Sequence, residues 1–146
     1  MSTTVLYPDI NVLVYAYRDD SPYHEVCRRF IEAVADGREL FGIPELVRAG
    51  FVRVCTNPAA FLTPSPVADA LGFIDDLLAS PVCTSVVPGG RHWQIFSELC
   101  VASNARGNLV PDAYLAALAI ETDAELVSCD RDFAKFPGVR WVNPAK

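Results

Sequence analysis

The stretch Thr4-Val5-Leu6-Tyr7-Pro8-Asp9-Ile10-Asn11-Val12-Leu13-Val14-Tyr15-Ala16 changes period at its middle. Residues 4–7 are β-branched or apolar, as in a short buried strand, and stop at Pro8-Asp9. Val12, Leu13, Tyr15 and Ala16 then recur at helical rather than alternating spacing. A strand turning directly into a helix opens an α/β unit, and it leaves Asp9 at the strand's carboxyl end.

Working outward, Ser21 reads as an N-cap with Pro22 in the first turn of a helix whose stripe is Val26, Cys27, Phe30, Ile31 and Val34, stopped by Gly37. Residues 40–43 read as a strand. Pro44 opens a third helix carrying Leu46, Val47, Phe51 and Val54 to about Asn57, and the proline-rich stretch 58–66 reads as a loop. A fourth helix puts Val67, Ala70, Leu71, Ile74, Leu77 and Leu78 inward, and Asp69, Asp75 and Asp76 outward. Residues 82–87 read as a strand closed by Pro88-Gly89-Gly90, followed by a helix with Trp93, Phe96, Leu99 and Cys100. Residues 111–121 are apolar nearly all round, as in a helix buried on most sides. Residues 125–128 read as a strand, 133–136 as a short helical turn and 139–142 as a last strand. Strands alternating with helices imply right-handed crossovers, so the expected fold is three-layer α/β/α with a mostly parallel sheet of about five strands.

The chain of 146 residues fits one domain, 1–146, with 51% hydrophobic and 21% charged residues, which excludes extensive disorder. Its net charge of −6 argues against holding nucleic acid by overall charge alone, but carboxylates gathered around a cation would themselves lower the total. No apolar run approaches a membrane span and no secretory signal is visible, so a cytoplasmic protein without membrane contact is expected. Five cysteines at 27, 55, 83, 100 and 129 fit reduced, packed thiols better than a disulfide frame or a zinc site. Phe41, Phe51, Phe61 and Phe73 are more aromatics than one small core readily hides, so part of this set is expected at an exposed patch.

Ligand sites in parallel sheets lie at the carboxyl ends of the strands. Asp9 and Asp130 each follow a strand there, Glu45 opens the helix after the second strand, and Asp112 lies in the first turn of the buried helix. Each acid could instead cap a helix or complement its positive N-terminus. Four together at one rim repel unless a cation offsets them, which favours a metal site. All-oxygen ligands select magnesium or manganese, and with His24 and His92 read as surface or packing residues no rival nucleophile is evident. A carboxylate-bound cation points to phosphodiester hydrolysis. Asn11 could bond a carboxylate or metal-bound water, or cap the helix; Asp132 could add a ligand or accept a bond beside the metal, or cap the following turn.

The ordered set Asp9-Ile10-Asn11, Pro44-Glu45, Pro111-Asp112-Ala113-Tyr114-Leu115-Ala116 and Leu126-Val127-Ser128-Cys129-Asp130-Arg131-Asp132-Phe133 resembles PIN-domain ribonucleases, and more narrowly the VapC-type toxins of type II toxin–antitoxin pairs. The resemblance spans essentially the whole chain. It implies a magnesium- or manganese-dependent endoribonuclease with Asp9, Glu45, Asp112 and Asp130 as the four catalytic, metal-binding acids. It also implies an RNA substrate, a VapB-like antitoxin that lays an amphipathic segment beside the acidic site, and a homodimer. RNA contact would then fall to arginines such as Arg18, Arg48, Arg53 and Arg91. An aspartate-based phosphoryl enzyme would want a second Asp where Asn11 stands and a core lysine, and a receiver domain would want adjacent acids at the first strand end. A catalytically weak PIN-like module that only binds protein or RNA would be expected to have lost an acid, and all four are present.

Overall fold

The computed structural model describes residues 4–146. Three parallel strands, β1 (Leu6–Pro8), β2 (Glu125–Val127) and β3 (Arg140–Val142), form a ladder in the order β1-β2-β3. Six helices surround it: α1 (Ile10–Tyr17), α2 (His24–Ala35), α3 (Glu45–Cys55), α4 (Val67–Leu78), α5 (His92–Ser103) and α6 (Leu109–Thr122), with a 3-10 turn at Arg131–Lys135. Helix α1 packs against both α2 and α3, α3 against α4, and α5 pairs with α6, giving the α/β layering expected from the sequence.

The expected second and third strands shrink to single residues. Phe41 bridges Leu6 on one side and Cys83 on the other, both parallel, so the full order across the sheet is Cys83, Phe41, β1, β2, β3. Leu6 N donates to the Leu40 carbonyl and Gly42 N to the Leu6 carbonyl at 3.0 and 2.9 Å. The ladder goes no further because Pro44 brings no amide hydrogen and turns the chain into α3. A Cβ at Gly42 would collide with the Val86 side chain, so glycine is what lets these two segments touch.

Pro8, at the end of an inner strand, has its missing N–H on the side of the Phe41 segment, where it too ends the pairing after the Leu6 amide; on the β2 side the next amide, Asp9 N, continues the ladder to the Val127 carbonyl at 2.8 Å. The core joins Leu13 of α1, Phe41, Phe51 of α3, Leu115 and Leu118 of α6, Leu126 of β2 and Phe133, all fully buried or nearly so. Helix α6 is buried on most sides, as its all-round apolar sequence requires.

Several local expectations change. Helix α2 begins at His24, because Tyr23 takes a left-handed conformation (φ 58°) and Ser21 instead donates its hydroxyl to the Arg18 carbonyl. In α4 only Ala70, Ile74 and Leu77 are buried; Val67 and Leu71 face solvent. The phenylalanines are not the exposed patch. Phe41 and Phe51 are buried, and Phe73 stacks on Phe51 with centroids 5.3 Å apart. Among the described residues the most exposed large apolar side chains are instead Leu62, Val87, Trp93 and Val101. Among the described residues no helix is long and apolar enough to cross a membrane.

Candidate active site

β1 and β2 deliver two acids to one edge. Asp9 leaves β1 in extended conformation and caps α1: its Oδ1 accepts from Ile10 N at 2.7 Å. The helix therefore starts one residue before Asn11, which leaves the Asn11 side chain free of capping. Asn11 Nδ2 reaches Asp9 Oδ2 at 3.4 Å and Ser128 Oγ at 3.2 Å, while its Oδ1 accepts from Cys129 N at 3.1 Å.

Ser128, directly after β2, is the centre of this network and the residue that sequence reasoning missed. Its hydroxyl donates to Asp9 Oδ2 at 2.9 Å and accepts from Asp130 N at 3.0 Å as well as from Asn11. One donor and two acceptor sites are all a hydroxyl has, so this one is fully used. Its backbone is fixed too, N to the Val142 carbonyl at 3.0 Å and carbonyl to Trp141 Nε1 at 2.8 Å. A signal did exist: a serine directly after a strand can accept from the amide two residues on, here that of Asp130.

Asp130 caps the 3-10 turn, accepting from Asp132 N at 2.9 Å; the capping considered for Asp132 belongs to Asp130. Asp112 lies in the first turn of α6. Ligand oxygens of Asp112, Asp130 and Asp132 all lie within 4.8 Å of one another. Burial, and then the charges of Asp9, Asp130 and Asp132, push the Asp112 carboxyl up to about 7. Asp9, only 6% exposed, is also raised by burial, against the lowering effect of its bonds from Ile10 and Ser128. The geometry thus holds three carboxylates close together with a fourth buried behind them, at a cost in repulsion that a hard divalent cation would remove. The all-oxygen donor set fits such an ion.

A family model described as the PIN domain matches residues 6–139. Ribonuclease VapC43 of Mycobacterium tuberculosis is 44% identical over 140 residues, covering 96% of this chain and 95% of its own length. Ribonuclease VapC25 of the same organism is 41% identical over 136 residues, 93% and 96% of the two chains. The chain belongs to the PIN-domain family of VapC ribonucleases. A structure of VapBC2 from Rickettsia felis bound to a promoter DNA fragment superposes on this PIN domain with a TM-score of 0.71 at 18% identity, over 96% of this chain and 98% of the other. VapBC-1 from Haemophilus influenzae gives 0.67 at 14%, over 98% and 100%. At these identities the likeness is one of fold.

The remaining residues singled out in this VapC-family chain fall elsewhere. Glu45 is the first residue of α3 and exposed, lining a small pocket with Val86, Pro88 and Tyr114, outside the three-carboxylate group. Arg18 is tied down by Asp20, Ser65 and the Thr63 carbonyl and stacks over Phe61 at 4.1 Å; Arg48 donates to the Ile43 carbonyl at 2.7 Å. Arg53 and Arg91 are exposed. His24 and His92 both pack against backbone carbonyls, of Tyr15 and Tyr114.

Proposed function

We propose that this chain is a metal-dependent endoribonuclease and the toxin of a toxin–antitoxin pair. The observation that carries the reading is the meeting of the Asp112, Asp130 and Asp132 carboxylates within 4.8 Å at the carboxyl edge of a parallel sheet. The VapC relatives support RNA as the substrate, and the VapBC structures support a VapB-like antitoxin as partner. A homodimer is part of the same proposal.

Magnesium or manganese would be held by Asp112, Asp130 and Asp132, with Asp9 adding charge from behind and Glu45 approaching from the helix that follows Phe41. Such an ion lowers the pKa of a bound water and offsets charge on a phosphate. The chain's own residues supply position and charge. Ser128 and Asn11 hold the Asp9 carboxylate in one orientation, and the Ser128 hydroxyl fixes the amide of Asp130. The fixed negative field concentrates a divalent ion, and it repels a phosphate backbone unless that ion is present.

The test is to incubate the purified chain with structured RNAs and manganese or magnesium, beside an excess of chelator and an Asp9→Ala control. Cleavage is expected only with the ion and the native Asp9. Undiminished cleavage in excess chelator would overturn the reading. For the toxin role, the chain is expressed alone and with the small open reading frame expected just upstream of its gene; growth arrest relieved by the upstream product is the expected result.

A further inference from the structure

Two cysteines 102 residues apart in sequence meet beside the carboxylate cluster. Cys27 lies on the inner face of α2, fully buried, and Cys129 stands between Ser128 and Asp130, partly exposed. Their sulfurs are 3.9 Å apart. All five cysteines are free thiols, and neither member of this pair has a part in the proposed chemistry. A disulfide needs sulfurs about 2.05 Å apart, so closing this pair draws the two side chains together by nearly 2 Å.

We propose that Cys27 and Cys129 are an oxidisable pair, which a hydroperoxide closes into a disulfide that ties α2 to the segment carrying Asp130 and weakens the cation-binding group. The weakening, though not the pairing, rests on the proposed metal site. Cys129 is the thiol that an oxidant in solvent can reach. Its sulfur attacks the hydroperoxide: an S–O bond forms, the O–O bond breaks, and a sulfenic acid and water or an alcohol result. Cys27 then attacks that sulfur; the S–S bond forms, the S–O bond breaks, and the departing hydroxide takes the Cys27 proton and leaves as water. The two thiols lose two electrons and the peroxide gains them. Burial raises both thiols, Cys27 to about 12, so exposure rather than acidity makes Cys129 the first point of attack.

The coupling to the site is short. Cys129 N is held by Asn11 Oδ1, and Asn11 also contacts Asp9 and Ser128. Drawing Cys129 toward α2 pulls on the bonds that orient Asp9 and Asp130.

The experiment treats the purified chain with hydrogen peroxide, blocks the remaining thiols, and maps the peptides by mass. An intramolecular Cys27–Cys129 peptide lighter by two hydrogens is expected, reverting with dithiothreitol. Manganese affinity by titration calorimetry should fall about tenfold or more in the oxidised chain, the range seen when groups supporting metal ligands are lost. Cys27→Ala, and Cys129→Ser should the first fold poorly, should keep its affinity through the same treatment. Absence of that peptide, cross-links running instead through Cys83 or Cys100, or unchanged affinity in the cross-linked chain would each overturn the proposal. A reduced chain that binds no manganese would count against the metal site, and the peptide map would still decide the thiol pair.

Discussion

The two halves of the sheet are built to different tolerances. On one side β1, β2 and β3 run three residues each in register, and the acids that follow them, Asp9 and Asp130, are fixed by Ser128 from both sides. On the other side Phe41 and Cys83 make single bridges, and the acid that follows, Glu45, is exposed at the start of a helix. The difference teaches that a carboxylate is placed as firmly as the ladder beneath it. Bonds that continue a ladder past the strand end, such as Asp9 N to the Val127 carbonyl, carry that firmness to the acid.

The largest effect that could break this comparison is at the ligands themselves. Asp130→Asn and Asp112→Asn should each lower the initial cleavage rate at saturating manganese by about 100-fold or more, several kcal/mol of charge stabilisation being at stake. Asp132→Asn should cost less, about tenfold, because its carboxylate is half-exposed and already shared with Lys135 at 3.0 Å. Equal losses at 130 and 132 would mean that the ladder confers no advantage.

Next comes the support. Ser128→Ala leaves the Asp130 amide without its acceptor and Asp9 without its donor, and should reduce manganese affinity by about 10- to 100-fold, as measured by calorimetry. Ser128→Thr keeps the hydroxyl and should restore most of it. If threonine fails to rescue, the residue's part is packing rather than orientation. Smaller still is Glu45→Gln: an exposed charge on the loosely bridged side should be worth up to about 1 kcal/mol, about fivefold in rate. A loss matching that of Asp130 would show that Glu45 swings into the site when RNA and metal are bound.

The last effect is on stability rather than on rate. The folded Asp112 carboxyl, at about 7, binds its proton more tightly than the unfolded one at 3.8. Its contribution is therefore fully present below 3.8 and is lost as pH rises through about 7. The metal-free chain should melt at a higher temperature at pH 5.5 than at pH 8, and manganese should reverse that order by favouring the ionised form. At face value the shift corresponds to roughly 4 kcal/mol; solvent screening of this half-buried group brings the expected difference to about 1 to 2 kcal/mol. Asp112→Asn should flatten the profile, and an unchanged profile would place the titrating group elsewhere.

The same two-sidedness decided what the sequence could reveal. Asp9 and Asp130 were legible because a β-branched run ending in a turn fixes which end of a strand an acid occupies. Asp112 was harder, since α6 follows another helix and its place at the rim depends on how α5 and α6 pair. The strands at 40–43 and 82–87 were overread: apolar runs give the right path through the sheet, but Pro8 and Pro44 lack the amides that would carry the pairing of Phe41 with β1 past one residue. Ser128 passed unnoticed because a serine after a strand looks like any turn residue until its three partners, from α1, β1 and the next loop, are in place. The Cys27–Cys129 contact had no sequence signal at all.

Ser128 and Asp9 meet across 119 residues of chain, and β1 has no partner on that side until β2 arrives. At a synthesis rate of about 5 to 20 residues per second, roughly 6 to 24 s pass between the making of the first half of the site and the second. Throughout that interval the growing chain holds Asp9 without Asp130, Asp132 or the Ser128 hydroxyl that holds the Asp9 carboxylate. A ribosome can thus finish nearly the whole polypeptide before the carboxylates are assembled, and any product cut short before Glu125 lacks Asp130 and Asp132, two of the three carboxylates of the proposed cation site.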